Sequence, residues 1–295
     1  MHLSKENVIV KMQGGMGNQL FQYATAKSLA LRLGVQLVLD LNWYIEKNNS
    51  HCKFVLDRFN LEDKTFTSSD KLPVIIRKIF YKVAEKISPL GFTLPVLKDV
   101  DFKFNSNLLN LQYPVFLDGY WQNELYFREY RKELINIFDI KTEINLETKQ
   151  LLETITDSNS ICIHIRRGDY ITNTKAANIN GICSKDYYYQ AINILTKNID
   201  SPICYIFSDE PQWAKVNLEF GCQSVFVDIN SKDNPELDFL LMRSCKYFII
   251  ANSTFSWWAA WLASFKEKKV IAPKTWFLND ILNKNMKLPE NWIRI

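Results

Sequence analysis

The chain has 295 residues, of which 47% are hydrophobic and 23% charged, with a net charge of +4. That length suits two modest domains with real cores, and that charge is too small to argue for a nucleic-acid partner. Three histidines and six cysteines, with no C-x-x-C pair and no zinc-like spacing, exclude an ordinary zinc motif and fit reduced thiols in the cytosol.

The first six residues are polar and contain no apolar h-region, so no signal peptide is expected. Val8-Ile9-Val10 reads as a buried strand, followed by a glycine-rich turn at Gly14-Gly15-Met16-Gly17. Asn18 is the expected cap of a helix running to Leu33, with Gly34 as its stop. Residues 35–40 supply the next strand, which completes a βαβ unit and predicts a parallel sheet.

The pattern loosens over residues 43–110. After Pro73 comes an amphipathic helix with Arg77, Lys78, Lys82 and Lys86 among its polar positions. A solvated face is the ordinary reading of such a helix, and peripheral contact with anionic lipid at the inner membrane is the alternative. Residues 115–118 read as a buried strand and 124–138 as one amphipathic helix.

From Ser160 the rhythm is regular. Strands are expected at 161–165, 203–207, 224–227, 247–250 and 270–272, with helices at 184–198, 211–220, 235–245 and 254–264. This alternation predicts a doubly wound α/β domain. The longest apolar stretch, 247–263, is interrupted by Asn252, Ser253, Thr254 and Ser256, so it reads as strand, turn and helix and not as a membrane span. The expected division is an N-terminal α/β domain over 1–155, a Rossmann-like domain over 156–275, and a tail over 276–295 that packs back toward the first.

Ligands in such sheets bind beyond the carboxyl ends of the strands, and the turns at 164–169, 208–210 and 251–256 all follow strands. Arg166 and Arg167 place two guanidinium forks at that rim, a geometry suited to paired phosphate oxygens. The structural alternative is that one of them pairs with Asp169; one arginine is expected to face phosphate and the other to hold the loop. Ser253, Thr254 and Ser256 at a helix start make an anion cradle, whereas Trp257, Trp258 and Trp261 are expected in the core. Ser208-Asp209-Glu210 offers either an acceptor for guanine N–H groups or a helix N-terminal acid. The glycine-rich turn matches neither the dinucleotide fingerprint nor the P-loop. Asp99-Val100-Asp101 has the spacing of a manganese-holding acid pair, but lies away from the rim and is taken as surface.

Three blocks taken together, residues 14–24, 164–170 and 252–258, resemble the α-1,2-fucosyltransferase family of inverting glycosyltransferases with the GT-B fold. Gly119-Tyr120-Trp121-Gln122 and Phe207-Ser208-Asp209-Glu210 are also similar to family patterns. The resemblance implies two Rossmann-like α/β domains facing each other across a cleft, with the first on the acceptor side and the second holding GDP-fucose. It implies a GDP-fucose donor, a galactose-terminated oligosaccharide or lipid-linked glycan as acceptor, no metal and no other cofactor. Arg166 then meets the donor phosphates with Arg167 in support, and Asn18 lies near the reacting bond. His164 and Asp209 fall on the guanine side, with Gly15, Gly17, Ser208, Asn252, Ser253, Thr254 and Ser256 completing the donor site. Asp118, Trp121, Gln122 and Glu124 fall on the acceptor side. The base stays open among Asp169, Asp118, Glu124 and the leaving phosphate itself. Without a membrane anchor the chain resembles bacterial members, acting in the cytoplasm or at the cytosolic membrane face on surface-polysaccharide intermediates. Two readings compete: fucosyl transfer of another linkage, such as α-1,6, and a nucleotide-sugar or glycan-binding protein without turnover.

Overall fold

The computed structural model describes residues 7–45, 52–67, 95–172, 177, 179–231 and 233–295. The basic helix expected after Pro73 lies outside those residues. The chain divides into two compact units, Met1–Asp139 and Ile140–Ile295, each built on one parallel sheet as the α/β expectation requires.

In the first unit, β1 (Asn7–Lys11) leads into α1 (Met16–Leu33) and β2 (Gln36–Asp40), followed by β3 (Lys64–Phe66), β4 (Val96–Lys98), β5 (Phe116–Asp118) and α2 (Arg131–Ile137). The strands lie in the order β3-β2-β1-β5-β4, and every pairing is parallel. Val8, Ile9 and Val10 are all buried, as a strand covered on both faces must be. Ile9, Val38, Phe66, Val96 and Phe116 form one apolar stripe across all five strands. The expected βαβ unit is therefore present, but Asn18 is not the helix cap. The helix starts two residues earlier, and the Gly15 carbonyl accepts the first turn's N–H groups from Asn18 and Gln19.

The helix expected over 124–138 is broken into two short 3-10 turns, Glu124–Tyr126 and Arg128–Tyr130, before α2. Tyr126 and Phe127 are both buried. Phe127 leaves the helical region (φ −140, ψ −2) and sets its ring edge-on to Phe21.

The second unit comprises α3 (Leu146–Asp157), β6 (Asn159–Ile165), α4 (Gly168–Thr172), α5 (Lys185–Thr196), β7 (Pro202–Ser208), α6 (Pro211–Asn217) and β8 (Gln223–Val227). It continues through α7 (Pro235–Arg243), β9 (Tyr247–Ile249), α8 (Thr254–Leu262), β10 (Val270–Ala272), α9 (Asp280–Asn285) and β11 (Ile293–Arg294). Its six strands run in the order β11-β10-β9-β6-β7-β8, again all parallel. Ile161, Ile163 and Ile165 of β6 join Tyr188, Ala191 and Leu195 of α5 in one core face. The apolar stretch ending at 263 is a strand, a turn and the buried helix α8, with Trp257, Trp258 and Trp261 in the core as expected. Among the described residues no helix is long and apolar enough to cross a membrane.

The division falls at 139/140 and not at 155/156. Helix α3 belongs with the second unit, because its Thr148 hydroxyl bonds Asn230 at 2.9 Å and Thr142 bonds Glu236 at 3.1 Å. The C-terminal tail also differs from expectation: β11 extends the second sheet beside β10.

In the first sheet β1 to β3 and β4 to β5 advance toward the same edge, with β5 beside β1, whereas the second sheet reverses its strand order once, between β6 and β9. Crossovers leave in opposite directions at such a point and open a crevice at the strands' carboxyl ends, where α/β proteins bind ligands.

Candidate active site

In the second unit the expected residues converge on the reversal between β6 and β9. Strand β6 ends at Ile165, so Arg166 and Arg167 emerge at its carboxyl end. Neighbouring β7 delivers Asp209. One of its carboxylate oxygens accepts the Arg167 backbone N–H at 2.9 Å, and the other lies 3.3 Å from Arg166 Nε. Any side chain at position 168 would press that carboxylate, since a Cβ there would stand 2.9 Å from Asp209 Oδ2.

The two arginines have different surroundings. Arg167 donates from Nε to Glu210 at 3.1 Å and lays its guanidinium 3.5 Å from the Trp213 ring centroid. That pairing with a carboxylate and an aromatic face makes it a brace between β6 and α6. Arg166 is the more exposed of the two, 33% against 19%, and turns its guanidinium toward Tyr170, 5.6 Å from the ring centroid. Each arginine thus has its own carboxylate, Asp209 for Arg166 and Glu210 for Arg167. Asp209 holds the arginine loop, and the Ser208 hydroxyl accepts the Glu210 N–H at 3.0 Å.

At the end of β9, Asn252 and Ser256 are also frame residues. The buried Asn252 amide donates to the carbonyls of Asn180 at 2.7 Å and Trp276 at 3.2 Å. The Ser256 hydroxyl turns back to the Ser253 carbonyl at 3.2 Å. Ser253 sits at the cap position of α8 without making a side-chain cap bond, with Thr254 next to it. A helix start of this kind presents the first turn's N–H groups and the positive end of the dipole to an anion. Tyr170 links the two turns by donating its hydroxyl to the Asn252 carbonyl at 3.1 Å.

His164 lies beneath them, 5% exposed, with its ring 5.9 Å from Phe255. Burial, reinforced by the Arg166 charge, pushes it down to about 3, so it is neutral across the physiological range. Its Nδ1 is buried without a protein partner. Asp169 starts the short helix α4 with Gly168, and its side chain lies outside the described part of the structure.

In the first unit the carboxyl ends of the neighbouring strands β1 and β5 gather the glycine-rich turn and residues 118–123. Gly14, not Gly15 or Gly17, is the glycine the turn requires: its φ is +77, and its carbonyl accepts from Tyr44 and Gln19, both at 3.0 Å. Gly15 has open space where a Cβ would be, and Gly17 is buried inside α1. Asn18 Oδ1 accepts from the Gln122 amide at 2.9 Å. Asp118 is paired with Lys11 at 3.1 Å across the two strands. Glu124 opens the 3-10 turn that follows. Trp121 does not present an open aromatic face, being 1% exposed and packed edge-on to Tyr126.

Asp99, taken as surface from the sequence, is a buried-side clamp. Its carboxylate accepts the Trp121 N–H at 2.7 Å and the Phe102 N–H at 3.1 Å. Among the described residues no group of three His, Cys, Asp or Glu side chains is placed to hold a metal ion. Sequence reasoning missed Trp213, Tyr170 and Asp99 as site residues. An aromatic on the first turn of the helix after Asp209 was the one available signal, for Trp213.

Residues 96–295 match the family described as Glycosyl transferase family 11. An α-1,2-colitosyltransferase of Escherichia coli is 36% identical over 98% of each chain. The O-antigen biosynthesis glycosyltransferase WbnK of Escherichia coli is 31% identical, over 96% of this chain and 99% of its own. A galactoside 2-α-L-fucosyltransferase, SEC1 of Bos taurus, is 24% identical over 89% of this chain and 66% of its own.

Proposed function

The chain belongs to glycosyl transferase family 11, and from that premise we propose that it transfers L-fucose from GDP-β-L-fucose to the 2-hydroxyl of a terminal galactose, with inversion. The observation that carries this reading is the Arg166–Asp209 and Arg167–Glu210 pairing at the reversal of the second sheet, beside the uncapped start of α8. The bond from fucose C1 to the β-phosphate oxygen breaks, the bond from C1 to the galactose oxygen forms, and the hydroxyl proton leaves. Charge grows on the departing diphosphate. Arg166 meets that charge, and one such preorganised donor is worth about 3–4 kcal/mol at the transition state. No metal is needed in this account, because a fixed cation and the helix start neutralise the leaving group. Asn18 has its carbonyl oxygen held by Gln122, which leaves its amide N–H groups as the donors for the role proposed here at the reacting bond. A carboxylate or the leaving phosphate takes the proton, and Asp118, Glu124 and Asp169 remain the carboxylate candidates.

The 36% identity to a colitosyltransferase supports a second donor. Colitose is fucose without its 3-hydroxyl, so the choice turns on whether a polar group of the site bonds that hydroxyl. A site built to bond a hydroxyl rejects the analogue lacking it by about 10⁴-fold, whereas an apolar contact discriminates weakly. Its relative WbnK supports an O-antigen-type polysaccharide intermediate as acceptor, made at the cytosolic membrane face. Residues 73–86 are the candidate for peripheral contact there, and flotation with anionic vesicles that leaves the protein at the bottom removes that part.

The deciding experiment offers GDP-fucose and its 3-deoxy analogue with galactose-terminated sugars, in EDTA, and reads the linkage by NMR. An α-1,2 fucosyl product supports the proposal. Transfer of only the 3-deoxy sugar moves the assignment to colitose. GDP binding without transfer to any acceptor favours a binding protein.

A further inference from the structure

The Asp99 clamp has no place in the sequence-level account, and the backbone around it explains why it exists. Strand β4 ends at Lys98, which pairs with Asp118 of β5, so Asp99 sits beside the point where the chain leaves the sheet. There Gly119 crosses directly over it: a Cβ on Gly119 would lie 2.5 Å from the Asp99 Cβ and 2.7 Å from its carbonyl oxygen. The turns that follow β4 and β5 each hold a non-glycine residue in the left-handed region, Phe102 at φ +60 and Trp121 at φ +56.

Each such residue costs about 1–3 kcal/mol and persists only where its surroundings fix it. Here one carboxylate fixes both, by accepting the N–H of Phe102 on one oxygen and of Trp121 on the other. Burial raises the Asp99 pKa, against which those backbone hydrogen bonds act. The strain has a consequence one residue on. With Trp121 left-handed and buried, Gln122 is directed back to α1, where its amide bonds Asn18 Oδ1 at 2.9 Å. Trp121 Nε1, Gln122 Oε1 and Asn123 Nδ2 are all buried without partners among the described residues. That stretch therefore gives up hydrogen bonds as well as backbone ease, a combination found where geometry is held for function and not for stability.

We infer that Asp99 is a positioning residue: by locking Trp121 in its left-handed conformation it sets Gln122, and through Gln122 the orientation of the Asn18 amide. This rests on the role proposed for Asn18. The chain of contacts runs Asp99, Trp121 N–H, Gln122 amide, Asn18, and all four belong to the first unit.

The test uses the full-length protein with Asp99→Asn, which keeps the shape and loses one acceptor. Affinity for GDP is expected to stay within about twofold, while kcat falls about 10–50-fold, the non-additivity expected of coupled neighbours appearing in the double variant. In an Asn18→Ala background, Asp99→Asn then lowers kcat by less than about twofold. Gln122→Met repeats the cycle one link downstream without touching the clamp, should Asp99→Asn fail to fold. A second readout needs no turnover: the Asn18 side-chain amide resonances, assigned by their loss in Asn18→Ala, shift in Asp99→Asn. Equal losses in both backgrounds, or unmoved Asn18 resonances, overturn the inference. If the wild-type protein transfers no sugar, the proposed function fails while the resonance measurement still decides the clamp.

Discussion

At the reversal between β6 and β9 the turns are tied by charge, whereas at the carboxyl ends of β1 and β5 those nearest Asn18 are tied by amides and backbone N–H groups. Arg166, Arg167, Asp209 and Glu210 form two ion pairs within a few residues, and the Trp213 face completes them. In the first unit the Lys11–Asp118 pair stands at the strand ends, but the links that reach Asn18 are Gln122, the Trp121 N–H and the Asp99 carboxylate. The difference fits two tasks. A site that meets a diphosphate needs fixed cations, and each cation needs a counter-charge to hold it when the ligand is away. A site that orients one amide needs short directional bonds, and a net charge there would only compete with the reacting groups.

Substitutions can break this comparison at either end. Arg166→Ala should cost most, lowering kcat by about 10²–10³-fold, because it removes the donor facing the leaving charge. Steady-state kinetics at saturating donor and acceptor check this, and a loss below threefold sinks the assignment. Asn18→Asp keeps an acceptor for Gln122 but replaces the N–H donor with an anion. It is expected to lower kcat by about 10²-fold with the melting temperature little changed, and wild-type turnover would show that the amide donor has no role. Asp209→Asn retains an oxygen for one contact and loses the charge opposite Arg166, so a smaller fall of about tenfold is expected. If raising salt rescues that variant, the ion pair is not what the loop needs. Arg167→Lys keeps the charge and loses both the stack on Trp213 and the directed bond to Glu210. It should lower stability by about 1 kcal/mol in denaturant titration while donor affinity changes little.

The smallest effect lies outside both sites. Burial pushes Asp238 up to about 6, and the charges of Asp228 and Glu236 add to the rise, against a bond from Asn230. A carboxyl whose folded pKa exceeds its free value of 3.8 stabilises the fold at lower pH, and that contribution is lost as pH rises through about 6. Asp238→Asn should therefore match the wild type in melting temperature near pH 4 and exceed it at pH 8. A variant that melts lower at pH 8 would show that the charged form is the one the fold prefers.

The two regions also differ in how far the sequence revealed them. In the second unit, apolar runs ending in Arg166, Asp209 and Asn252 mark strand ends directly, because a parallel strand is buried until it stops and polar residues begin there. The alternation of strand and helix then brings those ends to one edge of the sheet. The partners of Asn252 and Ser256 at Asn180, Trp276 and Ser253 depend on packing that residue types do not encode. In the first unit Asp99 was illegible for a stronger reason. Its value lies in holding Trp121, 22 residues away, at a backbone angle that a tryptophan does not choose by itself. The helix expected over 124–138 failed on a related point, since Phe127 leaves the helical region to set its ring against Phe21, a contact its residue type does not encode.

The central claim is that Arg166, at the reversal of the second sheet, meets the β-phosphate of the donor. Phosphorus NMR of GDP bound to the wild-type protein and to Arg166→Ala tests it most directly. The account predicts a β-phosphorus resonance displaced on binding to the wild type, with that displacement largely lost in Arg166→Ala while GDP still binds. A β-phosphorus resonance displaced equally in both proteins would contradict it.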